Sequence, residues 1–368
     1  MPLEEGIALC LSGGGYRAML YHVGALWRLN EVGLLSQLNR VSSVSGGSIT
    51  AGVLALHWND LCLSTASLPP FAQSTFVEKV VNSIRNLADQ TIDTHAVGWG
   101  LLSPCKSISD EIAGYYRRYL FGDNTLQDLP DEPRFVINAT CVKTGVLWRF
   151  SKPYLANWRV GVIRQPRVSL ARAVAASSAF PPFLSPARLE LDPTAFDPNV
   201  PAALASPDYR TEAVMTDGGV YDNLGLETAW KRYKTILVSD GGLRLCDEPD
   251  PSGDWARHSY RLIELLCQEV SSLRQQQVVE SFRVQARTGA LWGIRIPISR
   301  YGIGDPLGCP ESRTQELAAT PTRLASLSDE LQEQLINWGY ASCDAALRKY
   351  YLPAAPLPSA FPYPQSKV

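Results

Sequence analysis

The opening stretch from Gly6 to Trp58 constrains the fold most, because it sets two strand, glycine-turn and helix units back to back. Ile7 to Leu11 is a short, nearly continuous apolar run, the pattern of a strand covered on both faces. Gly13, Gly14 and Gly15 break it, and Ala18 to Leu29 has the length and composition of a helix. Arg40 to Val44 reads as a second short strand, Ser45-Gly46-Gly47 as a tight turn, and Ser48 to Trp58 as an apolar helix. Such units aim backbone N–H groups and the positive end of a helix dipole at a negative oxygen. A serine on a sharp strand-to-helix turn is a nucleophile elbow. One loop able to hold an oxyanion beside another presenting a serine points to acyl transfer.

The rest of the chain continues an α/β plan. Phe76 to Leu87 and Ser109 to Leu120 have helical spacing, while Leu61 to Phe71 reads as loop and Ala96 to Leu102 is apolar without periodicity. Residues 60–130 are expected to form a cap or lid. Its Trp58, Phe71, Trp99, Leu101 and Leu102 are either lipid-facing or core contacts, and the second is favoured because large apolar residues are mostly buried. Phe135 to Val142 and Val146 to Phe150 form a hairpin through Lys143-Thr-Gly. Val168 to Ser178 is an alanine-rich helix, Leu189 to Pro207 a proline-rich loop, and Glu212 to Thr216 and Thr235 to Ser239 are strands, each ending in Asp-Gly-Gly. Leu262 to Ala286 predicts a long helix, Trp292 to Ile298 a strand, and Leu324 to Lys349 one or two helices with Gly339 as a possible break. The tail from Leu352 is proline-rich and expected to be poorly ordered.

Composition excludes several classes. The 368 residues are 45% apolar and 19% charged with a net charge of -2, enough for a large core and without the basic face that nucleic acid requires. Met1-Pro-Leu-Glu-Glu carries no basic region or apolar signal core, so secretion is not expected. No apolar run approaches the 18 or so residues of a spanning helix, so membrane contact is expected to be peripheral. The 8 cysteines include no C-x-x-C pair and read as small hydrophobes in a reducing cytosol, with neither a zinc site nor a disulfide framework.

The chemistry gathers in three motifs. Ser45 is the candidate nucleophile, and a serine hydroxyl needs both a base and a stabilised oxyanion. Gly46 and Gly47 permit the turn. Gly14 and Gly15 can direct N–H groups to one point, and Arg17 is expected to add a charged donor. A nucleotide loop is disfavoured, since no Lys-Ser/Thr follows and no G-x-G-x-x-G follows a strand. For the base, Asp217 and Asp240 have the same Asp-Gly-Gly form at a strand end, where sites in open α/β sheets gather. Asp217 is preferred because a patterned loop with Asn223 and Leu224 follows it. Among His22, His57, His95 and His258, only His258 follows both acids in the chain order of a Ser-Asp-His triad. It has no special local pattern, so a Ser–Asp dyad is preferred.

These residues resemble the patatin-like phospholipase family. The resemblance rests on Gly13-Gly14-Gly15-Tyr16-Arg17 for the oxyanion loop, Ser43-Val44-Ser45-Gly46-Gly47 for the elbow and Asp217-Gly218-Gly219 for the dyad aspartate. Ala176-Ser-Ser-Ala-Phe-Pro-Pro-Phe resembles the family's A-S-x-A-x-P segment, and Asn138-Ala-Thr with Thr144-Gly its central hairpin. The elbow departs by having Ser43 where the family has glycine, and Ser12 to Ala18 with Ser45-Gly-Gly-Ser look intermediate between this family and the related cytosolic phospholipase A2 and phospholipase B group. Ser43 has a Cβ that narrows the turn.

The resemblance implies a three-layer α/β fold with a mainly parallel central sheet flanked by helices. It runs from about residue 6 to 245. Because the chain has no internal repeat and no linker long enough to separate autonomous domains, one catalytic domain over 1–352, cap included, is expected, followed by a tail at 353–368. The resemblance further implies an acyl hydrolase of phospholipid or lysolipid esters, cytoplasmic and peripherally membrane-associated, with Ser45 and Asp217 as dyad. Gly14, Gly15 and Arg17 would form the oxyanion hole, Gly13, Gly46, Gly47, Gly218 and Gly219 would support the site, and neither a metal nor an organic cofactor is implied. A soluble esterase or thioesterase, and a regulatory lipid-binding protein without turnover, remain alternatives.

Overall fold

The computed structural model describes residues 3–63, 70–93, 107–242 and 247–368. Strand β1 (Glu4–Leu11) lies parallel between β2 (Leu38–Ser43) and β9 (Tyr233–Asp240). Parallel pairing extends outward to β3 (Arg134–Cys141) beside β2 and β10 (Thr288–Gly293) beside β9. Past β3 the sheet continues antiparallel through β4 (Leu147–Ser151), β5 (Tyr154–Asn157) and β6 (Gly161–Arg164). β8 (Glu212–Asp217) pairs antiparallel with the far end of β3 and with β7 (Ala187–Glu190).

Five helices position the site: α1 (Gly15–Glu31), α2 (Gly46–Leu56), α3 (Leu170–Ser177), α4 (Trp255–Arg283) and α5 (Asp329–Ala346). Side chains of β1 alternate between the sheet's faces, as the pleat requires. Leu9 and Leu11 join the larger apolar cluster with α1, α2 and α5, whereas Ala8 and Cys10 join a smaller one with Leu224, Ile236, Val238 and Val278 of α4. Helices on both faces of a sheet that is parallel through its centre make the expected three-layer α/β fold.

Helix α1 is buried from Gly15 through Asn30, so it needs cover on the side away from the sheet. α5 supplies it. The helices approach so closely that a Cβ on Gly24 would fall 1.8 Å from the Ile336 carbonyl oxygen, and one on Gly339 1.8 Å from that of Tyr21. The contact is finished by Tyr21 Oη donating to Ser342 Oγ at 2.6 Å and by a buried ion pair, Arg28 Nη2 to Asp344 at 2.8 Å. Asp344 also receives Arg348 at 2.8 Å, so this buried carboxylate has two cationic partners. Gly339 therefore does not break α5; the helix is continuous, and the glycine is there for the close approach.

Several expectations change. The tail is ordered: Asn337 Nδ2 donates to the carbonyls of Tyr363 (2.8 Å) and Ser366 (2.6 Å), and Phe361 and Val368 are buried. The strand read at Trp292 to Ile298 lies earlier, at Thr288–Gly293, because Pro297 cannot donate to a ladder and instead starts a 3-10 turn at Ile298–Tyr301. α4 begins at Trp255, ahead of the expected Leu262, because the Asp254 side chain accepts from the Arg257 N–H and caps it. In the region expected to form a cap, Trp58, Phe71, Phe76, Val80, Ile84, Ile112 and Phe121 are buried in the main core. Ala96 to Leu102, with Trp99, Leu101 and Leu102, lies outside the described residues, as do His95, Cys105 and Cys246.

The Gly339 contact sets two effects against each other. Helix propensity alone favours Gly339→Ala by about 1 kcal/mol. Backbone overlap with Tyr21 opposes it by typically 1–3 kcal/mol or more. We expect the variant to lower the midpoint of thermal and urea unfolding; a raised midpoint would refute this account of the helix contact.

Candidate active site

The register of β1 and β2 places Leu11 opposite Ser43, so the two strands end together and their turns lie side by side. A Cβ on Gly46 would sit 2.2 Å from the Gly15 carbonyl oxygen, so the turns touch backbone to backbone. Gly14 (φ 143°) and Gly15 (φ 61°) adopt conformations that L side chains rarely reach. Ser45 is not a glycine yet has φ 52° and ψ −122°. Such a residue stores on the order of 1–3 kcal/mol of strain and persists only where its surroundings hold it.

The surroundings are specific. The Ser45 N–H donates to Ser177 Oγ at 2.9 Å, Ser177 Oγ donates to the Asn138 carbonyl at 2.7 Å, and the Ser48 N–H bonds the Ser45 carbonyl at 2.8 Å. Gly13 gives its N–H to the Asn223 carbonyl and Tyr16 gives its own to that of Arg323. Among the described residues, the N–H groups of Gly14, Gly15 and Gly46 meet no protein acceptor. They lie at or beside the N-termini of α1 and α2, where unpaired donors and helix dipoles favour an anion.

Asp217 ends β8 and is buried. Its Oδ1 accepts the Gly219 N–H at 2.7 Å and its carbonyl accepts Thr140 Oγ1 at 2.8 Å. Burial pushes its pKa up to about 6, although the Gly219 N–H and the Ser45 hydroxyl pull it down. The Ser45 hydroxyl is thus near enough to stabilise the carboxylate, yet Oδ2 closes no hydrogen bond of regular geometry. Ser45, Asp217, Gly14 and Gly15 all line one cavity of about 680 Å³.

Arg17 does not join them. Its guanidinium is fully buried and spent on backbone, Nε and Nη2 donating to the Gly241 carbonyl (3.1 and 3.0 Å) and Nη1 to that of Thr320. A side chain at the third position of α1 points back along the helix, toward the loops that brace it and away from the cavity. The second Asp-Gly-Gly belongs to the same brace. The Gly241 N–H donates to Ser12 Oγ at 2.8 Å, and the Asp240 carboxylate accepts from the Gly242 N–H and Gln275.

Asp240 does not line the cavity, and neither do the described histidines. His22 is buried with its pKa pushed down to about 4. Its Nε2 must donate to the Ser12 carbonyl (2.9 Å), leaving Nδ1 to accept from Ser239 Oγ (2.8 Å). Ser43 does not obstruct the elbow: its hydroxyl accepts from Ser48 Oγ at 3.0 Å and lies 3.4 Å from the Val136 carbonyl.

Ser177, in the Ala176-Ser-Ser-Ala segment noted above but given no role there, holds the strained Ser45 N–H from far along the chain. Two further features carry no local sequence signal. Arg323 lines the cavity and pairs with Asp93 at 2.9 Å, while its carbonyl would meet a Cβ on Gly15 at 2.5 Å. α4 covers the opening with Tyr260, Glu264, Cys267 and Gln268. Of the described residues in 60–130, only Asp93 lines the cavity.

The family model for patatin-like phospholipase matches residues 9–230, from within β1 to just beyond the loop after Asp217. The chain belongs to the patatin-like phospholipase family. The fold is similar to human GIVD cytosolic phospholipase A2, with TM-score 0.53, 12% identity, 94% of this chain covered and 59% of that one. The same enzyme in complex with methyl gamma-linolenyl fluorophosphonate gives 0.47 at 13% identity, covering 93% and 57%. VipD from Legionella pneumophila gives 0.38 at 15%, covering 94% and 67%. No curated protein matches the sequence. This patatin-like chain therefore spans about three-fifths of the length of the first solved relative, and the family match itself stops before α4, Arg323 and α5.

A carboxyl group raised from 3.8 to about 6 in the folded chain penalises its charged form. The penalty is fully present above about pH 6, on the order of 3 kcal/mol, and fades as pH falls toward the unfolded value. Asp217→Asn is expected to raise the melting temperature at pH 8, with the gain shrinking as pH falls toward 4. A variant less stable than wild type at pH 8 would show that the carboxylate is stabilised by its contacts.

Proposed function

We propose that this patatin-like chain hydrolyses fatty-acyl esters of lipids, of phospholipase A or lysophospholipase type, through a Ser45–Asp217 dyad. The observation that carries the reading is a serine held at φ 52° beside a buried carboxylate, with unpaired N–H groups lining the same cavity. Asp217 takes the proton from Ser45 Oγ as that oxygen attacks the ester carbonyl, whose oxygen becomes an oxyanion on the Gly14 and Gly15 N–H groups. Collapse expels the alcohol, which receives the proton from Asp217, and leaves an acyl-serine. Water then attacks, giving its proton to Asp217, and releases the fatty acid while Ser45 recovers its hydrogen. Aligned backbone donors of this kind are worth on the order of 3–4 kcal/mol each in the transition state, and they need no charged Arg17.

The apolar cavity and the outer face of α4 support a lipid over a soluble ester. On that face Trp255, Leu262, Leu266 and Leu273 are exposed, and Phe183 is exposed at the cavity mouth. No described helix is long and apolar enough to cross a membrane. Contact at the surface is therefore the mode proposed: α4 rests its apolar face on a lipid layer and opens the cavity toward it. Leu262→Glu with Leu266→Glu should reduce co-sedimentation with phospholipid vesicles several-fold; undiminished sedimentation would exclude α4 as the contact.

A fluorophosphonate probe tests the dyad directly. Ser45 should be the labelled residue by peptide mass mapping, with no label on Ser45→Ala. The labelling rate should fall as pH drops through about 6, because protonated Asp217 cannot accept the serine proton. Labelling that ignores Asp217→Asn, or a folded wild type that takes no label in detergent, would overturn the dyad.

A further inference from the structure

Where Phe180-Pro-Pro-Phe183 meets the N-terminal half of α4, three aromatic rings gather at the cavity mouth. The Tyr260 ring lies 6.4 Å from that of Phe180 at 87° and 6.0 Å from that of Phe183 at 54°. The rings thus stand at steep angles to one another, as walls and not as a stack. One helical turn beyond Tyr260 is Glu264, and all four residues line the cavity. Among the described residues Glu264 forms no ion pair; its partner is the Tyr260 hydroxyl. The other charged groups of the lining are already engaged, Asp93 with Arg323 and Asp217 with the Gly219 N–H.

Glu264 is half-exposed at the mouth, and a wall that only holds an acyl chain gains nothing from a carboxylate there. Angled rings with a carboxylate at one edge are suited instead to a soft cation with methyl groups. The ring faces attract its charge through their quadrupoles, the methyls fill the apolar space, and the carboxylate completes neutrality without hydrogen bonds. A primary ammonium is more strongly hydrated and gives up more to meet ring faces, and a purely anionic headgroup would meet Glu264.

We propose that Phe180, Phe183, Tyr260 and Glu264 form a cage for the trimethylammonium group of choline, so that the enzyme prefers choline-bearing lipid esters. The inference rests on the acyl-hydrolase reading for its catalytic assay but not for its binding assay. The Phe180 turn follows directly on Ser177, which holds the Ser45 N–H, so the cage and the nucleophile are braced by one segment.

The test compares kcat/KM for dihexanoyl-phosphatidylcholine and dihexanoyl-phosphatidylglycerol, both monomeric, at pH 8. The wild type should favour choline by about tenfold, the scale of a desolvated cation–π contact. Phe183→Leu and Glu264→Gln should each bring the ratio toward one, whereas Phe183→Trp, which keeps an aromatic face, should preserve it. Phe183 is exposed, so its replacement does not endanger folding. A wild-type ratio near one, or a ratio insensitive to both Phe183→Leu and Glu264→Gln, would overturn the cage. Butyrylcholine separates the sources of the group: if it is the better substrate, the cage stands but serves a soluble choline ester, and the lipid assignment falls. If no ester is hydrolysed, the dyad reading fails, and the cage is read by calorimetric titration of phosphocholine into Ser45→Ala. Millimolar binding lost in the Ser45→Ala, Glu264→Gln double variant supports the cage; no binding refutes it.

Discussion

The rest of the site depends on one steric constraint, the backbone contact between two turns at the ends of adjacent parallel strands. Any side chain at Gly46 would collide with Gly15, and any at Gly15 with the carbonyl of Arg323. This packing sets the N-termini of α1 and α2 beside each other, and two positive dipole ends in proximity favour an anion between them. It also forces Ser45 into a backbone conformation that only its surroundings make tolerable. The strain at Ser45 is met by hydrogen bonds from a different part of the chain, above all to Ser177. The unpaired N–H groups of the glycine loop and the strained serine are therefore products of a single close approach.

That approach in turn depends on the C-terminal part of the chain, which the family match does not reach. α1 is buried on every side, and a helix without a polar face has no stable position until another element covers it. α5 does this through the Gly24 and Gly339 contacts and the Arg28–Asp344 pair. The segment before α5 carries Thr320, whose carbonyl holds Arg17, and Arg323, whose carbonyl holds the Tyr16 N–H. Residues beyond 230 thus brace the glycine loop from outside.

The cavity has two regimes. Around Ser45 burial dominates: Asp217 is shielded from water and its pKa rises to about 6, the range the proposed base role requires. Toward the mouth the lining is aromatic and half-exposed, and α4 presents one face to the cavity and an apolar face to solvent. A helix with only Val278 and Ser281 fully buried over so long a span is held mainly near its C-terminal end, which suits a cover more than a core element.

Much was legible in the chain itself. The apolar run before Gly13, the glycines, and Ser45 between β2 and α2 are local patterns, and local hydrogen bonding and sterics decide them within a few residues. Asp217 at the end of a short strand was legible for the same reason. Arg17 was assigned to the site by its motif and lies outside it, because the direction of a side chain on α1 depends on Gly241 and Thr320, far away in sequence. Gly339 looked like a helix break because its purpose, contact with Tyr21, exists only once α1 and α5 meet. The tail looked disordered because proline-rich composition does not reveal that Asn337 will bond it. By itself the sequence determined the order of elements and the candidate groups, Ser45 and Asp217, since these follow from periodicity and turn chemistry. Only the tertiary structure decided which of those groups face one cavity, what braces them and what covers them, since burial and long-range hydrogen bonds arise from contacts that no local pattern encodes.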